Sequence, residues 1–158
     1  MINHLTSEVI MYKATIGTII HATMRSEDLI PCFLDELEKL DHEKQYSKVI
    51  AEGKKIIENE DWKSENTVMY LNETLWDALN DFAPPYCYFG STEGDSSDYG
   101  FCPLDTDETL REFDGLKVSY TSEIPKDYCG EVFHVNDNGN LTLYYAENGN
   151  NTEIWAIV

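Results

Sequence analysis

Basic residues are what this chain has least of. It carries 11 Lys and Arg against 30 Asp and Glu, a formal net charge of −19 over 158 residues. A surface of that sign repels phosphate and anionic lipid. Direct binding to DNA, RNA or a membrane surface is therefore disfavoured unless metal ions bridge, and basic partners are favoured. No apolar run reaches the roughly 20 residues needed to cross a bilayer. The opening MINHLTSEVIMYKATIGTII has no basic stretch followed by a clean apolar one, so no signal peptide is read there. The expected location is the cytoplasm. There the four cysteines are expected to be reduced and the sequons at Asn72, Asn140 and Asn150 have no meaning.

Catalytic and cofactor motifs are missing too. Cys32, Cys87, Cys102 and Cys129 are separated by 55, 15 and 27 positions, so no pair has the close spacing of a structural zinc site. Cys87, Cys102, Cys129 and His134 all fall in the β-rich half and can be imagined as an assembled site. The simpler reading makes these cysteines small buried hydrophobes. Cys129 and His134 are five apart on or beside a strand, which separates them by face and by distance, so they do not form an adjacent nucleophile–base pair. There is no G-x-S-x-G elbow. GSTEGDSSDYG is followed by no Lys, so it is neither a phosphate cradle nor a dinucleotide loop. The expectation is accordingly no catalytic residue, no metal and no cofactor. The alternative is a metal-dependent or Cys/His-based enzyme of unknown substrate.

What the chain does have is enough apolar material, 42% with 12% aromatic, to build a core without a staple. Its patterning predicts α+β: two or three helices packed on an antiparallel sheet that ends in a C-terminal β-meander, all within one domain spanning 1–158. Residues 9–24 have a β-type composition, with Gly17 as a bend. Ser26-Glu27-Asp28 reads as a helix start, with Ser26 as cap. Ile30, Phe33, Leu34, Leu37 and Leu40 then form one helical face. A second helix is expected over roughly 43–59, weakened by Gly53. A third runs over 64–83, capped by Ser64 and stopped by Pro84-Pro85, with Val68, Leu71, Leu75, Leu79 and Phe82 inward. YCYFG reads as a short strand, STEGDSSDYG as a loop and FCPL as another short strand. Asp105 caps a short helical piece. LKVSYTSEI, GEVFHV, LTLYYAE and TEIWAIV read as strands. The last three are joined by turns at Asn138-Gly139 and Asn148-Gly149, because Asn-Gly is the strongest short hairpin signal. Val132 and His134, with Leu141, Leu143 and Tyr145, suggest a single face packed on the helices.

The acid is unevenly placed. Residues 1–63 hold 12 acidic and 8 basic residues, whereas 64–158 hold 18 acidic residues and only Arg111, Lys117 and Lys126. Two clusters stand out. At about 100° per residue, Glu73, Asp77 and Asp81 lie opposite the apolar face of the third helix, one turn apart with no lysine beside them. Glu93, Asp95 and Asp98 lie in the glycine-containing loop, with Asp105 beyond. That loop lacks the ordered register of a calcium loop. Glu73, Asp77, Asp81, Glu93, Asp95 and Asp98 are therefore the candidate interaction surface.

Three segments, EDLIPCFLDEL, LWDALNDFAPPYCYFGSTEGDSSDYGF and GEVFHVNDNGNLTLYYAENGNNTEIWAIV, together resemble an uncharacterised family of small acidic proteins encoded by bacteriophages and by integrative or conjugative elements of gut bacteria. Members of that family often carry Trp where this chain has Cys102, which speaks against a required metal role for Cys102. The resemblance implies a mobile-element setting, the cytoplasm of a host cell and an accessory role; it assigns no catalytic residue. Combined with the charge, it leads to the expectation of a non-enzymatic protein acting by protein–protein interaction. Its partner would be a basic host protein, one form of which is a nucleic-acid-binding or defence protein met by a DNA mimic.

Overall fold

The computed structural model describes residues 13–157, so the start of the strand-like stretch 9–24 lies outside the described residues. The chain divides into two compact units, one holding Tyr12–Pro103 and one holding Leu104–Val158. Helices, two sheets and a closing run of strands make the α+β class expected from the sequence.

In the first unit, β1 (Gly17–Ile20), β2 (Cys87–Thr92) and β3 (Asp95–Pro103) form an antiparallel sheet in the order β1-β3-β2. Helix α1 (Ser26–Leu40) buries Leu29, Ile30, Phe33, Leu34 and Leu37, the face expected from the spacing. Its start differs from expectation. Ser26 is the first helical residue and Arg25 occupies the extended cap position, with no side-chain cap bond. Thr23 serves this end instead: its Oγ1 accepts from the Arg25 amide at 3.2 Å and donates to Asp28 Oδ2 at 2.6 Å. Asp41, 2% exposed, follows α1 and accepts the amides of Gln45 and Tyr46 at 2.8 and 2.9 Å. A buried carboxylate thus organises the turn into α2 (Ser47–Glu58).

The third helical stretch is interrupted. It consists of α3 (Glu65–Met69), a π-helical segment Tyr70–Leu75 and α4 (Trp76–Asn80). Ser64 caps it as expected, its Oγ accepting from the Thr67 amide. A π segment lengthens the turn, and over its length the helix lags by about one residue, roughly 100°. That lag explains the one misplaced member of the expected face. Leu71, Leu75 and Leu79 are buried, but Val68 is 44% exposed, while Thr67 and Tyr70 turn inward. Tyr70 donates its hydroxyl to the Val49 carbonyl at 2.7 Å, directly beside Gly53, where a Cβ would lie 2.4 Å from it. The core of this unit is closed by edge-to-face aromatic contacts of Phe33 with Phe89, Tyr99 and Trp76.

The expected loop 91–100 is instead mostly strand. Thr92 pairs with Asp95, leaving Glu93-Gly94 as a two-residue turn with Gly94 at φ +94°. The polar Ser and Asp residues that suggested a loop occupy an irregularity of β3, where the register jumps between Ser91 and Thr92. FCP then continues the same strand. Gly100 is required there, since a Cβ would lie 2.0 Å from the Gly17 carbonyl oxygen across the β1–β3 pair.

In the second unit, Asp105 caps α5 (Thr106–Glu112), accepting from the Glu108 amide at 2.9 Å. The expected strand LKVSYTSEI is shorter: β4 is Leu116–Val118, followed by a 3₁₀ turn at Thr121–Glu123. β4 pairs parallel to β5 (Gly130–Val135), and β5, β6 (Leu141–Glu147) and β7 (Asn150–Ala156) form the expected antiparallel meander. Asn148 and Gly149 both have positive φ, 53° and 79°, the geometry of a tight primed turn. Gly139, at φ +80°, closes the other turn through its amide to Asn136 O at 2.9 Å. The single-face expectation is corrected by the register. Val132 faces with Tyr144 and packs with Val118 and Ala146, while Leu143 lies opposite Phe133 on the other face with Trp155. Both faces of this sheet carry buried residues, Val118, Val132 and Ala146 on one and Phe133, Leu143 and Trp155 on the other.

Candidate functional site

The acidic residues divide by what their side chains do. Glu73 and Asp77 are exposed on the outer side of the π segment and α4, and neither side chain makes a hydrogen bond or ion pair with the described residues. Asp81 is different. Its carboxylate accepts the Tyr46 hydroxyl, and its carbonyl accepts from Lys13 Nζ at 3.1 Å. Burial and the Asp81 hydrogen bond push the Tyr46 phenol up to about 12, so Tyr46 stays a donor and Asp81 stays occupied. Of the expected row, two members are unengaged and the third ties α4 to the start of α2.

The second cluster is likewise split. The Glu93 side chain sits exposed at the hairpin tip, without hydrogen bond or ion pair among the described residues. Asp95 Oδ1 accepts from Ser97 Oγ at 2.6 Å and from the Ser97 amide at 2.9 Å, which holds its carboxyl below the usual range. Asp98 accepts the Ala22 amide at 2.8 Å and lies 3.2 Å from His21 Nδ1. It thereby fixes Ala22 at φ 57° against the irregular part of β3. Asp105 is a helix cap in the other unit, its Oδ1 taken by the Glu108 amide.

The ion pairs among described residues are His21–Asp98, Arg25 with Glu27 and Asp28, Lys39–Asp35 and Lys54–Glu38. All lie in the first unit, all but His21–Asp98 within or beside α1 and α2. Residues 104–158 hold 11 acidic and 3 basic residues, and none of those bases is ion-paired among the described residues.

The thiols have separate surroundings. Cys32 donates to the Ile19 carbonyl at 3.5 Å. Cys87 is pushed up to about 12, by burial first and by neighbouring Cys102 second, which makes it a poor nucleophile at neutral pH. Cys129 is exposed, with Sγ 3.8 Å from the Tyr145 hydroxyl. His134 points to the opposite side of β5 and lies 3.0 Å from the Ser119 carbonyl through Nε2. Cys129, just before β5, and His134, within it, thus have different partners. Among the described residues, no three His, Cys, Asp or Glu side chains gather as metal ligands.

One feature was not read from the sequence. The residues that follow α5, 113–115, and the entry to β5, residues 128–131, line an open cleft of about 160 Å³. Two glycines shape it. The Phe113 ring lies against Gly115, where a Cβ would meet it at 2.4 Å, and the Tyr128 ring lies over Gly130, which has φ +145°. Tyr128 is fixed by donating to Glu131 O at 3.0 Å. The available signal was the pair of aromatic–x–Gly triplets, Phe113-Asp114-Gly115 and Tyr128-Cys129-Gly130. Comparison with protein-family models, with curated proteins and with solved structures finds no match.

Proposed function

We propose that the protein is a non-enzymatic accessory protein of a phage or mobile element. It works by protein–protein contact, presenting an anionic surface to a basic host protein of the nucleic-acid-binding or defence kind, as a DNA mimic does. The observation that carries this reading is the set of exposed carboxylates left uncompensated, Glu73, Asp77 and Glu93, in a chain whose bases are concentrated in and beside α1 and α2. Residues four apart on a helix are about 6 Å apart along the axis, so Glu73 and Asp77 offer a partner's Lys and Arg side chains a short row of negative charge in place of phosphates. Charges of this kind act mainly on encounter: they speed association between opposite surfaces and lose their effect as salt rises.

The test is competition. A host protein retained on the immobilised chain at low salt and released at high salt is purified, bound to labelled duplex DNA and titrated with the free chain. Displacement of the DNA by wild type, with a slower-associating E73Q/D77Q variant, is the expected result. A partner that binds wild type, E73Q/D77Q and E93Q equally at low salt removes these residues from the interface and leaves the charge as a solubility device.

A further inference from the structure

We infer that the cleft between the end of α5 and the entry to β5 is a binding site for an organic cation with a short apolar stem, an alkylammonium or guanidinium group. This site lies in the Leu104–Val158 unit and uses none of the residues of the row around Glu73, so it stands independently of the DNA-mimic reading.

Size comes first. About 160 Å³ is close to that of an apolar cavity of about 150 Å³ that takes up benzene, and so suits a ligand of five or six heavy atoms. The walls come next. Two aromatic rings, Phe113 and Tyr128, border the cleft. Phe113 is held edge-to-face on Phe133 at 4.6 Å and Tyr128 is held by its hydroxyl, so both rings are fixed before a ligand arrives. Fixed aromatic walls accept an alkyl stem and attract a cation at the ring face. Charge selects between a neutral ligand and a cation. Asp114 is an exposed lining residue and Glu131 a buried one. Beyond Cys129, the Tyr145 phenol feels the same field: its pKa is raised by the Cys129 hydrogen bond first, then by burial, then by the charges of Cys129, Glu147 and Glu131. Among the described residues no Lys or Arg lines the cleft, and residues 104–158 hold 11 acids to 3 bases. An anion is therefore excluded by repulsion, and a cation is drawn in.

An ammonium with this chemistry can arrive as a free small amine or as the end of a lysine side chain on another protein, and the experiment separates them. The full chain, labelled with ¹⁵N, is titrated with butylammonium chloride, with butanol and with sodium chloride at matched ionic strength. The expected result is saturable movement of the backbone amides of residues 113–115 and 128–131 with butylammonium alone. Asp114→Asn should weaken the binding about two- to fivefold. Cys129→Met, which fills the cleft from an exposed position, should abolish it with the remaining amides unmoved. A second titration compares acetyl-Gly-Lys-Gly-amide with the same peptide carrying norleucine. Saturation by the lysine peptide at the same amides assigns the site to a protein side chain, and saturation by butylammonium alone assigns it to a small amine. Equal binding of butanol overturns the cation. Shifts spread over all acidic residues and erased by salt, or no shifts at all, overturn the site.

Discussion

Replacing Gly53 by Ala tests how the helices of the first unit are held together, because sequence and structure predict opposite signs. Taken as a glycine inside a helix, position 53 should gain about 1 kcal/mol on acquiring a methyl group. The packing reverses this. The new Cβ would lie 2.4 Å from Leu34 Cδ1, 2.8 Å from Leu34 Cδ2 and 2.4 Å from the Tyr70 hydroxyl. Leu34 is 3% exposed and Tyr70 1% exposed, so neither can swing into solvent. Forcing extra volume into such a site costs about 1–3 kcal/mol. Displacing the Tyr70 hydroxyl from Val49 O adds about 1 kcal/mol. After the propensity gain, the net loss is about 1–3 kcal/mol. In urea denaturation, with a slope of about 1–3 kcal/mol per molar for a small protein, the midpoint should fall by about 1 M. Tyr70→Phe removes one of the two obstructing groups, so the G53A/Y70F double variant should be less destabilised than the sum of the single changes. A midpoint that rises in Gly53→Ala would refute the reasoning and make Gly53 an ordinary weak point of α2.

Four further outcomes follow from particular side chains. E73Q/D77Q should leave the denaturation midpoint unchanged or slightly raised, because like charges one turn apart repel by a few tenths of a kcal/mol; Asp81→Asn should lower it, because it weakens the acceptor for Tyr46. Tyr46 has a folded pKa of about 12 against an ordinary 10, so its contribution is fully present below about pH 10 and is lost as pH rises towards 12; the alkaline fall in stability should be shallower in Tyr46→Phe than in wild type. Glu60 sits at φ 51° just past α2, with its amide on Ile57 O and the Asp61 amide on Ile56 O, a helix-ending motif that favours glycine. Glu60→Gly should therefore raise thermal stability by up to about 1 kcal/mol, and a loss would show that the Glu60 side chain has a role its exposure does not suggest.

Much of the fold was legible because its signals are local. Asn148-Gly149 needs two positive φ values, and Asn-Gly supplies them; Ser64 and Asp105 cap because their oxygens reach an amide three residues on. The misreadings share a cause, which is that a distant partner overrode a local preference. The polar run Asp95-Ser96-Ser97-Asp98 reads as loop, yet the β3 irregularity is stabilised by the 21–23 turn, through Asp98 to the Ala22 amide and the Thr23 amide to Ser97 O at 3.1 Å. Thr67 and Tyr70 are turned inward by a π segment, which no apolar periodicity announces. The faces of β5 and β6 depend on register, and one step of register exchanges the two sets of side chains. The sequence does not tell which of the candidate acids are already occupied, because Tyr46 and Asp81 are 35 positions apart.

That occupancy separates two kinds of acidic residue with different dependence on salt. Asp41, Asp81, Asp95, Asp98 and Asp105 accept hydrogen bonds at short range, and such contacts are screened little by ions. Glu73, Asp77 and Glu93 act, if at all, through the long-range field, which decays over about 8 Å at physiological ionic strength. Raising salt should consequently relieve the repulsion that a charge of −19 imposes on folding while leaving the bonded acids in place, so stability should rise as binding to a basic partner weakens. The two responses can be measured on the same samples, by denaturation midpoint and by association rate. A binding rate that is flat between low and high salt, beside a stability that rises, would show that the unengaged carboxylates serve solubility alone, since the same field would then be acting within the chain and not on a partner.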